Sequence, residues 1–288
     1  MNLRGSERLS FAAVVILIVL ALAGHTRESL QTIPILALIG AGIPAFALLG
    51  PRARAWGVAR DFLPVLVITG VFSMLEPIIT GVNPARWDAS FAAVDEQFFP
   101  AVVAGWRGFL GRPARFTDAI YIVYFSYYVF PVVVGAVVRF TRTAADYEEL
   151  AFTVLLSFYL CYVGYFLWPT SGPRVSEGAE AMLGGGAVSQ AIRTFLRAAE
   201  GNHLDAFPSG HTGVSLVTLA LGWRLLPSWR PWLVVWTATI VFATVYIHVH
   251  YVIDVVAGTG AGLGVLVLAT VALRREERGP ARGSLAAP

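Results

Sequence analysis

Long apolar runs, broken at short intervals by small polar clusters, recur from one end of the 288-residue chain almost to the other. A bilayer hydrocarbon core takes ~20 mostly apolar residues per helix. By that measure the pattern predicts eight spans, approximately 9–24, 31–49, 62–80, 118–138, 148–168, 209–226, 231–249 and 251–273. The run 209–226 is the weakest, because it opens on polar residues and carries Arg224 near its end. The long stem of an Arg lets such an end reach the interface. The break between the last two spans falls among His248, His250 and Asp254. The expected fold is an all-α polytopic membrane bundle: two N-terminal helices (1–60), a six-helix catalytic core (61–273) and a disordered polar tail (274–288).

Two connections are long. The segment 81–117 holds Trp87, Phe91, Phe98, Phe99, Trp106 and Phe109, which suits helices lying in the membrane interface. The segment 169–207 is rich in Gly and Ser, with an amphipathic stretch at Ser189–Glu200.

Composition supports embedding: charged residues are 14% of the chain, against about 25% in soluble domains. Arg4 and Arg8 ahead of an apolar stretch resemble a signal peptide, but no small-residue cleavage site follows, and a retained first span is expected. Every basic residue is Arg, and Lys is absent. The single Cys161 excludes an intrachain disulfide and a Cys-based metal cluster. With eight spans both termini share a face, and that face carries 13 of the 21 Arg residues in shorter loops. The positive-inside rule then puts the termini in the cytoplasm and the long loops outside, in what reads as a bacterial plasma membrane protein.

The polar residues fall into place on that topology. Arg174 follows the fifth span, His211 opens the sixth, and His250 and Asp254 lie where the seventh ends and the eighth begins. Span counting brings all of them to the outer face. His250 and Asp254, four apart, would share a helix face. A carboxylate on one imidazole nitrogen fixes the tautomer and leaves the other nitrogen free to attack. Ser209-Gly210-His211 follows Pro208 at a helix start, where unpaired amides favour an anion and Gly permits close approach. Each feature has a bland reading: a structural hydrogen bond, a Ser cap, an interface anchor. Ionisable groups in apolar segments are costly and usually functional, and the bland readings would all have to hold on one face.

The runs Phe207–His211 and His250-Tyr251-Val252-Ile253-Asp254, followed by Gly258, resemble motifs of the type 2 phosphatidic acid phosphatase superfamily. The branch most similar is that of inositol phosphorylceramide synthases and their bacterial relatives. The resemblance covers about 61–272. It implies a metal-free, cofactor-free mechanism in which His250 attacks phosphorus, Asp254 orients it, and His211 protonates the leaving oxygen and then activates the acceptor. It also implies that Arg174, Ser209 and Gly210 hold the phosphate oxygens. One histidine neutral and one protonated would give a bell-shaped pH profile. The phosphatase branch has a Lys in its first motif and an Arg six residues before its nucleophile; here Lys is missing and Thr244 occupies the second position. A less cationic pocket suits a phosphodiester.

Other residues are less determined. His248 is expected at the rim of the site. Glu76 serves either the site or the interface. Tyr121, Tyr124 and Tyr128 form a stripe that either packs or lines a cavity. His203 and Asp205 precede the second motif without a convincing metal-site pattern. The expected activity is transfer of a phospho-headgroup, such as phosphoinositol, between lipids. Hydrolysis of phosphatidate or polyprenyl phosphate is the near alternative, and a non-catalytic lipid transporter the distant one. Vanadate-dependent oxidation, which shares the ancestry, fits poorly with the spans and the missing Lys. The expected partners are a phospholipid substrate and the bilayer, with no role for nucleic acid.

Overall fold

The computed structural model describes residues 3–49, 54–108, 114–175 and 184–277, and they are helical throughout, with no strand among them. The chain runs through α1 (Gly5–Gly24), α2 (Arg27–Gln31), α3 (Ile33–Leu49), α4 (Arg54–Asp61), α5 (Leu63–Phe72), α6 (Leu75–Val82), α7 (Asp88–Phe98) and α8 (Pro100–Gly108). It continues through α9 (Ala114–Ser126), α10 (Phe130–Thr141), α11 (Ala144–Leu167), a 3-10 turn at Pro173–Val175, and α12 (Ala187–Ala199). The last three helices are α13 (Gly210–Leu225), α14 (Arg230–Tyr246) and α15 (Val252–Glu277). Among the described residues, four stretches are long and apolar enough to cross a membrane: Gly5–Gly24, Arg27–Leu48, Ala144–Leu167 and Val252–Val271.

Two expected spans are broken. The run 62–80 divides into α5 and α6, bent by 46°, and 118–138 into α9 and α10, bent by 47°. Counted as single spans they raise the number to six. The cause is a proline in each second half. Proline has no N–H to give to the carbonyl four residues back, and its ring clashes with that carbonyl. Pro77 and Pro131 point to Ser73 and Tyr127, and the helices stop at those positions. α13 and α14, at 16 and 17 residues, are shorter than the ~20 of a typical crossing and lie at the short end of the range. α15 runs on to Glu277, past the expected boundary at 273, and the rest of the expected tail, 278–288, lies outside the described residues. The segment expected to lie in the interface forms α7 and α8, and the amphipathic stretch falls in α12; Phe109 lies outside the described residues.

Charged side chains knit one end of the bundle. Arg4 pairs with Asp61 at 2.5 Å, Arg60 with Glu7 at 2.6 Å, and Arg139 also with Asp61. Glu148 accepts from the Ser6 amide at 2.7 Å and its hydroxyl at 2.9 Å. These contacts gather the start of α1, the end of α4, the end of α10 and the start of α11. The opposite end gathers the end of α11 and the starts of α13 and α15, as span counting predicts.

At that second end, small residues bring backbones together. A Cβ on Gly258 would stand 2.4 Å from the Ser209 carbonyl oxygen, and one on Gly262 3.0 Å from that of Gly213. Only glycine permits α15 to lie this close to the first turns of α13. The Ser209 amide donates to the Asp254 carbonyl at 2.9 Å across the same contact.

Candidate active site

Three loop segments converge on the α13–α15 contact. The turn after α11 is held by Asp88, whose carboxylate accepts from the amides of Ser171 (3.1 Å) and Gly172 (3.0 Å). Gly172 has φ +82°, and a Cβ there would meet the Val249 carbonyl oxygen at 2.1 Å, so the turn lies directly on the segment carrying His250. Ala206 donates to the Thr170 carbonyl at 2.9 Å, which ties the approach to α13 to the same turn.

α13 starts on a Ser cap. The Ser209 hydroxyl accepts from the Thr212 amide at 3.2 Å and its hydroxyl at 3.1 Å. Both bonds are accepted by the oxygen, so the hydroxyl proton stays available to an anion beside the Gly210 and His211 amides, for which the helix supplies no acceptor.

His211 Nδ1 and His250 Nε2 lie 3.2 Å apart, both side chains buried. On the far side of His250, Nδ1 stands 3.4 Å from Asp254 Oδ2. The latter contact is longer than a hydrogen bond, and Nδ1 has no other partner among the described residues; contacts of this kind in substrate-free sites commonly tighten in the complex. The pair does not share a helix face, because α15 begins only at Val252. Instead Asp254 folds back over the first turn, where Oδ2 accepts from the Tyr251 amide at 2.8 Å. The start of α15 is capped by a residue distant in sequence: Asp95 of α7 accepts from the amides of Val252 (2.7 Å) and Ile253 (2.9 Å).

The tautomers follow from these contacts. With the Nδ1 proton of His250 facing Asp254, Nε2 keeps its lone pair and accepts from His211 Nδ1. His211 Nε2 is then bare; it is buried and lacks a hydrogen-bond partner. Burial, with a smaller contribution from the Arg174 charge, pushes His250 down to about 4, so it is neutral at physiological pH. A separation of 3.2 Å leaves no room for a phosphoryl group, so substrate has to part the rings. The His211 ring rests on aromatic neighbours, Tyr124 at 4.8 Å and Tyr127 at 4.1 Å between centroids.

Arg174 is already engaged. Its Nε donates to the Ser171 carbonyl at 3.0 Å and one terminal nitrogen to Asp205 at 2.7 Å, while the other stands 3.7 Å from Glu200. Burial opposes its charge, but Asp205, the neighbouring tyrosines and Glu200 hold it firmly protonated. Glu200 also accepts from the Tyr128 hydroxyl. The other candidates disperse. Glu76 binds the amide (2.8 Å) and ring (3.0 Å) of His203 rather than the histidine pair. His248 is buried rather than at a rim, with φ +65°. Tyr121 lies beneath the Arg193 guanidinium and packs in one buried cluster with Tyr124, while Tyr128 lines the cavity described below. Asp88, Asp95, Tyr127 and Glu200 were not singled out from the sequence. The local signal for the first two is an acid within an aromatic-rich interfacial segment.

An apolar cavity of about 430 Å³ begins at Gly210, His211, Asp205 and Glu200. Its floor is a stripe of α11 from Tyr165 through Tyr162, Phe158, Leu155 and Ala151 to Tyr147, and α5 and α10 form its sides. At ~1.5 Å per residue, the eighteen steps from Tyr147 to Tyr165 span about 27 Å, close to the ~30 Å hydrocarbon thickness. Thr69 and Tyr128, both exposed, stand on its rim.

A family model described as the PAP2 superfamily matches residues 89–271, which include every side chain of the histidine site. The chain belongs to the PAP2 superfamily. Searches among curated proteins and among solved structures find no significant match. Membership supports a lipid phosphatase or phosphotransferase type of function, and the several apolar helices are consistent with an integral membrane protein.

Proposed function

We propose that this PAP2 superfamily member is a membrane enzyme of eight spans that transfers a phospho-headgroup from one lipid to another through a phosphohistidine at His250. The observation that carries the reading is the buried His211–His250–Asp254 chain at the head of an apolar groove as long as a bilayer is thick. The eight spans are the six long or bent ones plus α13 and α14, with α5 to α15 forming the core. The inositol phosphorylceramide synthase-like branch is favoured by the missing Lys. The Arg distribution supports an outward-facing site with cytoplasmic termini.

In the first step His250 Nε2 forms a bond to phosphorus while the bond to the leaving oxygen breaks, and His211, which takes up a proton at its bare Nε2 as the anionic phosphate enters, gives that oxygen this proton. In the second step an acceptor hydroxyl loses its proton to His211 and attacks phosphorus, and the N–P bond breaks. The Asp254 carboxylate holds the developing imidazolium. The amides of Gly210 and His211, with Arg174, face the equatorial oxygens, where stabilisation of charge counts most. No metal is required by these steps. Water in place of the alcohol gives hydrolysis.

The test is incubation of purified protein with labelled phosphoinositol lipid, phosphatidate and polyprenyl phosphate, with and without a lipid alcohol, followed by product identification. Transfer to the alcohol, lost in His250→Ala and His211→Ala, is expected. Undiminished turnover in both variants would refute the mechanism. Efficient hydrolysis of monoesters with diesters untouched would refute the transferase assignment.

A further inference from the structure

The site holds more negative charge than phosphate binding calls for. Asp205 and Glu200 flank Arg174, the cation expected to meet the phosphate, at 2.7 and 3.7 Å. Both carboxylates line the same cavity as Gly210 and His211. The unpartnered Nε2 of His211, on a ring 7% exposed, marks that cavity as the place where a ligand sits. Arg174 stands among three carboxylates, those of Asp205, Glu200 and Asp254. Burial and the Asp205 charge already push the Glu200 carboxyl up, which is the mark of carboxylates crowded into a poorly hydrated space.

A phosphate monoester carries about −1.5 to −2 charges at pH 7, and a diester carries one. Asp205 accepts a bond from Arg174 that a phosphate oxygen would otherwise take. Each further charge on the ligand adds repulsion from two nearby carboxylates in a low-dielectric setting. Discrimination of this kind works by penalising the wrong ligand rather than by rewarding the right one.

We propose that Asp205 and Glu200 are charge-selection residues, which restrict the site to singly charged phosphodiester lipids by neutralising Arg174 and repelling dianionic monoesters. This rests on the phosphotransferase reading above and names its substrate class. Neither residue takes part in bond making; both act on which phosphate Arg174 can accept.

The experiment compares kcat/KM for a phosphodiester lipid and for phosphatidate in wild type, Asp205→Asn and Glu200→Gln. Each amide oxygen still accepts the hydrogen bond now made, from Arg174 or from Tyr128 respectively, so the charge changes and the geometry is kept. The expected result is a wild-type preference for the diester and a shift of the monoester-to-diester ratio by about tenfold in each variant, equivalent to about 1.4 kcal/mol. Should one variant fail to fold, the other decides the matter alone. A wild-type preference for the monoester, or equal changes for both substrates, overturns the proposal and leaves phosphotransfer standing. Turnover of neither lipid by the wild type overturns the underlying reading as well.

Discussion

Replacing Asp95 with Asn probes how firmly the first turn of α15 must be held for the site to work. The carboxylate accepts from two backbone amides, Val252 and Ile253, at 2.7 and 2.9 Å. Hydrogen bonds to a charged group contribute about 1.5–3 kcal/mol each, and a neutral one about 1. Asn keeps one of the two as a neutral bond and leaves the second amide facing an NH₂ group. Part of that loss is recovered, because burial pushes the Asp95 carboxyl up and removing the charge removes its desolvation cost. The net loss is about 2 kcal/mol, which for a chain of this size lowers Tm by roughly 4–8 °C. The loosened turn carries Asp254 and adjoins His250, so kcat should fall about tenfold, short of the ~30-fold that 2 kcal/mol permits at most. The assay is thermal unfolding in detergent beside steady-state lipid turnover, with Asp95→Ala as the more severe variant. Wild-type Tm and kcat in Asp95→Asn, or an Asp95→Ala variant milder than Asp95→Asn, would refute the reasoning.

Gly135→Leu should fill the end of the cavity far from His211, where Gly135 faces Tyr147; KM for long-chain lipids is expected to rise about tenfold, equivalent to ~1.4 kcal/mol, with short-chain analogues unaffected, and an equal loss for both would argue against chain binding there. The acid limb of kcat/KM is expected near pH 4, where burial holds His250, and a limb near the ~6.5 of an exposed histidine would count against a buried nucleophile. Because that folded pKa is depressed, the native state binds fewer protons than the unfolded chain below pH ~6.5. Thermal stability should therefore decline as pH is lowered from 6.5 toward 4, and His250→Gln should lose that part of the slope.

The helices were legible in the sequence because apolar runs of bilayer length have few alternatives. The breaks at Ser73 and Tyr127 were legible too, through Pro77 and Pro131 four residues on, but a hydropathy window averages such positions away. The convergence of Arg174, His211, His250 and Asp254 followed from the parity of the spans. Their pairing did not follow from helix periodicity, since the spacing of four between His250 and Asp254 crosses a helix start. What the sequence could not disclose is contact between distant loops: Asp88 on the Ser171 turn, Asp95 on α15 and Asp205 on Arg174. Each is one acid among several in polar segments, and only the fold selects its partner.

The groove along α11 is rimmed by exposed residues between α5 and α10, and with the proposed spans set in a bilayer that opening would admit a lipid sideways rather than from water. For an enzyme fed in this way, concentration is a two-dimensional quantity. Substrate is counted as a fraction of the surrounding amphiphile, and adding detergent at fixed protein and lipid dilutes it as surely as removing lipid. An assay reported in molar units alone would show a KM that drifts with the amount of detergent, whereas one reported in mole fraction would stay constant across micelle, nanodisc and native membrane.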